Sequence, residues 1–473
     1  MMTNWIPDLS EGAGPLYLRL AEQIERGIES GVLAKGAKLP PQRNLAFDLG
    51  VTLGTVSRAY ALARERGLVS GEVGRGTYVL AREPADPQPS RSSATGDMEG
   101  TRETETPPGK LHFDATAAPD VGQGEAIARL CAEIGRDHPH ELMDYTRRFP
   151  EHWAQAGSRW LAGGTFQPGP ENIVPTLGVH AAAIAVIAAV TSPGDSIAFE
   201  HLTYSQVARS ASLLGRRIAL VRSDESGLIP EEFERVCAQR HPRLLFAMPV
   251  LQNPTLAVMP AGRRAAIAEI ARRYNVWLIE DNLYGALTDD PGPLLAELAP
   301  ERTFHLGGLS KSVAPGVRGG WIACPPSYGR RIRVAHRMLS GGLPFLLAEL
   351  SARLVLSGEA EAIRARCIAE NNARLALVHK ALAGHHFRSS PNVPFIWLNL
   401  PEPWLSGTFK KAASEEGVLI DDADEFKAGR SDQVFHHVRL GTSAPPNREE
   451  TARGLGIVRR LLDHGEAGYD SLD

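Results

Sequence analysis

In the stretch HLGGLSKSVAPGVRGG, His305 to Gly320, a single lysine, Lys311, stands between Ser310 and Ser312, and Arg318 follows seven residues after it. Small neighbours let backbone and ligand come close to an amine, and a guanidinium can grip an anion with a two-pronged hydrogen bond. Alone, such a stretch fits a surface loop equally well, and other residues must decide. LIEDNLYG ends an apolar run with Asp281 and, three residues on, Tyr284. A carboxylate at a buried strand end is costly unless a cation faces it. QNPT sets Asn253 before a proline, and FEHLTYS carries Tyr204 just past a strand. TLGVHAAA brings Val179 and His180 behind a glycine at the start of an apolar helix, where unpaired N–H groups favour a phosphate.

These residue types converge on one chemistry. A lysine able to form an imine, a carboxylate for a pyridine N–H, a tyrosine and an amide for a phenolic oxygen, and a phosphate cup suit pyridoxal 5'-phosphate. Lys311 would form the imine, Asp281 would hold the ring proton, and Arg318 would grip the phosphate. Tyr204 can stack on a planar ring, although a lone tyrosine fits a core as well.

The elements that must position these residues follow from periodicity. SIAFE (196–200), RLLFAMP (243–249), VWLIEDN (276–282) and GGWIACP (319–325) read as strands, with helical stretches such as PAGRRAAIAEIARRYN between them. That alternation predicts an α/β body with a mostly parallel sheet covered on both faces, whose ligands bind at the carboxyl ends of the strands. The run Ala181 to Val190 is too short to cross a bilayer and reads as a buried helix.

At 473 residues the chain exceeds one ordinary core. The segment Arg82 to Lys110, rich in Pro, Ser, Thr and Glu, reads as a disordered linker between a head (1–81) and a body (111–473). Four scattered cysteines without a CxxC pair point to a reducing compartment and against structural zinc. The N-terminus shows no secretory signal, so a cytoplasmic protein without membrane contact is expected.

The net charge of −4 excludes a globally basic protein, so any nucleic-acid surface must be local. The head supplies one: from Lys35 to Arg82, eight Lys or Arg face three acids. Leu16, Leu20, Ile24 and Ile28 recur every four residues, as in an amphipathic helix. A helix carrying Leu45 and Leu49, a turn at Gly50 and a helix from about Leu53 to Arg66 then give helix-turn-helix spacing. GEVGRGTYVL reads as a β-hairpin wing with Arg75 and Gly76 at its tip.

The head, with LPPQRNLAFDLGV and GRGTYV, resembles the GntR-type winged helix-turn-helix. The resemblance assigns base readout to Arg43, Thr52, Thr55 and Arg58, with Arg75 and Gly76 approaching the minor groove of a double-stranded operator. From Leu111 to His464 the chain resembles the PLP-dependent transferase fold type I, the aspartate-aminotransferase-like fold with a large and a small domain. Its marks are QNPT, EDNLYG and LSKSVAPGVRGGW, in that order. The combination resembles the MocR family of bacterial regulators.

That resemblance implies covalent cofactor attachment at Lys311, the pyridine nitrogen at Asp281, the phenolic oxygen at Asn253 and Tyr284, and ring stacking at Tyr204. Ser310, Arg318, Val179 and His180 go to the phosphate, Tyr145 to the phosphate of a neighbouring subunit, and Arg439 to the carboxylate of an amino-acid ligand. Gly308 stands where a serine or threonine often adds a phosphate hydrogen bond. A head-to-tail homodimer that senses a small amine, amino acid or B6 vitamer is implied. The alternative is an aminotransferase with an accessory DNA-binding head.

Overall fold

Thr52 marks where the second helix of the head motif begins: its hydroxyl accepts the Thr55 N–H at 3.2 Å and caps the helix Leu53–Glu65. Before it, the helix Gln42–Asp48 ends at Leu49, and Gly50 turns the chain at φ 63°. The helix Leu16–Glu29 buries Leu20, Ala21 and Ile24 against them, while Leu16 in its first turn stays exposed. Tyr60 fastens the loop before the motif by donating from its hydroxyl to the Pro40 carbonyl at 2.8 Å. The strands Val69–Glu72 and Gly76–Val79 pair antiparallel as the wing. The computed structural model describes residues 5–9, 15–34, 36–66, 68–72, 76–80, 109–288, 292–431 and 433–463. The chain divides into two compact units, Met1–Thr101 and Arg102–Asp473. Arg75 lies outside the described residues, as does the expected linker except for Gly109 and Lys110.

In the second unit the alternating pattern produces a seven-stranded sheet. Its order is Ile173–Thr176, Gly320–Ala323, Thr303–Gly308, Trp277–Asp281, Leu244–Ala247, Ser196–Glu200 and Arg217–Val221. Gly320–Ala323 runs antiparallel to both neighbours, and the other pairings are parallel. Strands buried on both faces need continuous apolar runs, and Leu244–Ala247 and Thr303–Gly308 are buried throughout. The helix Gly178–Val190, apolar almost all round, packs in the core against the strands Thr303–Gly308 and Gly320–Ala323.

A second, antiparallel sheet orders Phe387–Arg388, Phe395–Asn399, His437–Gly441 and Asp421–Asp422. Beside it the start of the body is stitched in: Leu111–His112 pairs parallel with Val418–Leu419. The Gly441 N–H donates to the Phe113 carbonyl at 2.6 Å. A Cβ on Gly441 would meet the Ala115 carbonyl oxygen at 1.9 Å, so this close approach requires glycine. The four cysteines are unpaired. No described helix is long and apolar enough to cross a membrane.

Candidate cofactor site and DNA-reading surface

Strand ends deliver the polar residues of the body to one place. Asp281 closes the strand Trp277–Asp281, and Ser310 and Lys311 follow directly after Thr303–Gly308, its parallel neighbour. Val179 and His180 open the helix that follows Ile173–Thr176. These five line a cavity of about 340 Å³ together with Tyr204, Asn253, Tyr284, Arg318 and Arg439. Tyr145 is not among its lining residues and is 82% exposed just after the turn Glu141–Met143.

The lysine is held by neighbours. Lys311 Nζ donates to Thr116 Oγ1 at 3.0 Å, and the Thr116 and Tyr284 hydroxyls lie 2.8 Å apart. Burial pushes the Tyr284 phenol up to about 12, so it stays protonated and able to donate near neutral pH. Asp281 is also sealed, and burial pushes its carboxyl up to about 6, against the opposing pull of the Leu283 N–H, Lys311 and His305.

Just before Val179 and His180, Gly178 adopts φ 78° and turns the chain into its helix. A Cβ on Gly320 would meet Gly178 Cα at 2.7 Å, so the strand can back directly against this turn. Arg318 adopts a left-handed φ of 54° at the end of the turn Pro315–Val317, a costly conformation for a residue with a side chain. Its Nη2 reaches the Leu177 carbonyl at 3.5 Å. Burial, aided by the Arg318 charge, holds the His180 imidazole below its usual range. His180 Nδ1 is buried with no hydrogen-bond partner. Tyr204 meets the His180 ring edge-on at 5.9 Å between centroids.

These features fit pyridoxal 5'-phosphate. A helix N-terminus, an arginine and an orphaned imidazole nitrogen are groups that a phosphate would satisfy. A cationic ring N–H would relieve the raised Asp281 carboxyl. Gly308 does not behave as the family pattern implies: it lines a separate cavity of about 770 Å³ that lacks Lys311. A Cβ there would meet the Gly319 carbonyl oxygen at 2.7 Å, so a serine does not fit without displacing backbone. Among the described residues no cluster of His, Cys, Asp and Glu could hold a metal ion.

Arg439 sits between the Phe426 and Phe395 rings, 4.7 and 5.6 Å from their centroids. Its Nη1 donates to Asn253 Oδ1 at 2.8 Å, and its Nη2 donates to the Asp114 carbonyl at 3.3 Å and to Asp421 Oδ2 in a short ion pair. Thr116, Asp421, Glu425 and Phe426 also line the cavity, and sequence reasoning missed all four. Thr116 sits in a motif-free stretch, and DDADEF reads as a solvated acidic run until Asp421 is seen opposite Arg439 across the sheet.

In the first unit Arg43 and Thr52 are exposed and Thr55 is half-buried, on the helix-turn-helix. Arg58 is exposed on the same helix as Thr55, its guanidinium 4.7 Å from the centre of the Tyr17 ring. Gly76 opens the second wing strand.

Two family models match the chain. "Bacterial regulatory proteins, gntR family" covers residues 16–79, and "Aminotransferase class I and II" covers residues 149–426. The uncharacterized HTH-type transcriptional regulator YdeF of Bacillus subtilis is 32% identical over 462 residues, 97% of each chain. The HTH-type pyridoxine biosynthesis transcriptional regulator PdxR of Corynebacterium glutamicum is 26% identical over 352 residues, 72% of this chain and 73% of the relative. Among solved structures, the α-aminoadipate aminotransferase LysN of Thermus thermophilus superposes with a TM-score of 0.68 at 23% identity, covering 76% of this chain and 94% of LysN. That likeness gives the body the fold of the PLP-dependent transferases of type I.

Proposed function

The chain belongs to the MocR family, a GntR-type head joined to an aminotransferase-like body, and from that premise we propose a transcriptional regulator that senses a small amine, amino acid or B6 vitamer through pyridoxal 5'-phosphate. The observation that carries the proposal is the single cavity shared by Lys311, Asp281, Tyr284, Asn253 and Arg318, in a chain whose head is a winged helix-turn-helix. When bound, the cofactor supplies an aldehyde and a ring that accepts electrons.

The chain's own residues do the rest. Thr116 orients the Lys311 amine while tying it to the Tyr284 hydroxyl. Asp281, buried at the cavity's wall, would hold the ring N–H. Asn253 spends its carbonyl on Arg439, which turns its amide nitrogen to the phenolic oxygen. Arg318, Ser310 and the first N–H groups of the helix Gly178–Val190 take the phosphate. In a head-to-tail homodimer, the exposed Tyr145 serves the neighbouring subunit's phosphate. The amine displaces the Lys311 contact and changes the equilibrium between two placements of the heads, by as much as its affinity for the two states differs. Arg43, Thr52, Thr55, Arg58 and the wing read the operator, and the protein works in the cytoplasm.

Purified protein given pyridoxal phosphate is expected to be yellow, and Lys311→Ala to abolish the visible band. A protein that stays colourless at saturating cofactor overturns the proposal. Footprinting on the DNA upstream of its own gene, with and without cofactor, tests the regulator. Multiple-turnover transamination without operator protection would favour the aminotransferase alternative.

A further inference from the structure

Arg439 is the cavity's obvious dock for a ligand carboxylate, yet the protein already supplies one. Resting on the amine-sensing reading above, we infer that the ligand is an amine with no carboxylate on the carbon that bears the nitrogen, and that Asp421 sets this preference. Asp421 and Arg439 face each other directly in the antiparallel pairing of Asp421–Asp422 with His437–Gly441, so the backbone fixes both ends of the ion pair. Asp421 is 2% exposed and Arg439 5%, which keeps water from screening the pair.

The guanidinium is further committed to Asn253 Oδ1 and to the Asp114 carbonyl. Its Nε is buried with no hydrogen-bond partner, yet a carboxylate drawn to it would settle beside Asp421 as a like charge, and one that took Nη2 would pull Arg439 off Asp421 and strand a buried charge. Neither penalty falls on an amine without that group. The surrounding wall points the same way. Glu425 also lines the cavity and is itself held by Lys410 at 2.9 Å and Arg209 at 3.8 Å. Phe426 adds an apolar face beside it. Asp421 and Glu425 are each already paired to a cation, so an α-carboxylate at this wall must compete with them, while Phe426 gives an aliphatic or aromatic amine an apolar face.

The test uses full-length protein loaded with cofactor, loading being verified by absorbance and by a rise in melting temperature. Matched pairs that differ only in the α-carboxylate are titrated by calorimetry: cadaverine against lysine, and tyramine against tyrosine. The expected result is that the decarboxylated member of at least one pair binds tenfold or more tightly than its amino acid. Asp421→Asn, which keeps the shape and removes the charge, is expected to narrow or reverse that ratio by gaining affinity for the amino acid. Equal or tighter binding of the amino acids to the wild type overturns the inference, and so does loaded protein that binds no member of either pair. Should Asp421→Asn fail to fold, the wild-type ratios decide alone. Protein that takes up no cofactor defeats the parent proposal at the loading step, a different failure from loaded protein that prefers carboxylates.

Discussion

Asp281 shows how one buried carboxyl couples the cofactor to stability. Its group ordinarily titrates at 3.8 and here at about 6, because burial outweighs the Leu283 N–H and the nearby Lys311 charge. Below about pH 4 it is protonated whether the chain is folded or not. As pH rises from about 4 through 6, the unfolded chain releases the proton first, so the cofactor-free fold loses stability, about 3 kcal/mol in all. A cationic ring N–H against the carboxylate would remove that loss. Calorimetric scans should therefore show cofactor-free wild type falling relative to Asp281→Asn across this window, and cofactor-loaded wild type not falling. A pH-independent difference would count against the assignment. Asp281 and Tyr284 were legible in the sequence because a strand end and a three-residue step project both into the same space. The Arg439–Asp421 pair was not, because no local pattern records which residues meet across an antiparallel sheet.

At the scale of elements, glycines decide how closely the strands and the phosphate turn can approach. Gly308 had the appearance of a missing hydroxyl, but the steric measure reverses it: the Gly319 carbonyl and Val179 leave no room for a Cβ. Gly308→Ser is accordingly expected to destabilise the body by about 1–3 kcal/mol and to loosen the cofactor. Unchanged melting with tighter cofactor retention would refute this. The strand Ser196–Glu200 coincides with the apolar run read from the sequence, and Leu244–Ala247 and Trp277–Asp281 are shorter than theirs by residues at each end. Apolar runs report that a segment is buried on both faces. They carry no information about direction, which is why the reversed course of Gly320–Ala323 appears only in the structure.

For the molecule as a whole, the charge of −4 conceals a local basic stretch, Lys35 to Arg82, in which eight Lys or Arg face three acids. Phosphate contacts release counterions, so operator affinity should fall steeply as salt is raised. Arg43→Ala is expected to weaken operator binding by about 1–3 kcal/mol and to narrow the gap between operator and random DNA, measured by fluorescence anisotropy on both. An unchanged ratio of operator to random affinity would remove Arg43 from base readout. The sequence made the winged helix and the cofactor motifs legible separately, since each is local. What links them is chain connectivity.

The chain that leads back to the head leaves the body through Leu111–His112, stitched beside the sheet that carries Arg439. Five residues further on, Thr116 holds the Lys311 amine. Between them Phe113 and Ala115 are pressed against Gly441, two positions from Arg439. The opening residues of the body are thus moored inside the pocket's own wall. Whatever shifts this wall therefore shifts the opening strand of the body with it.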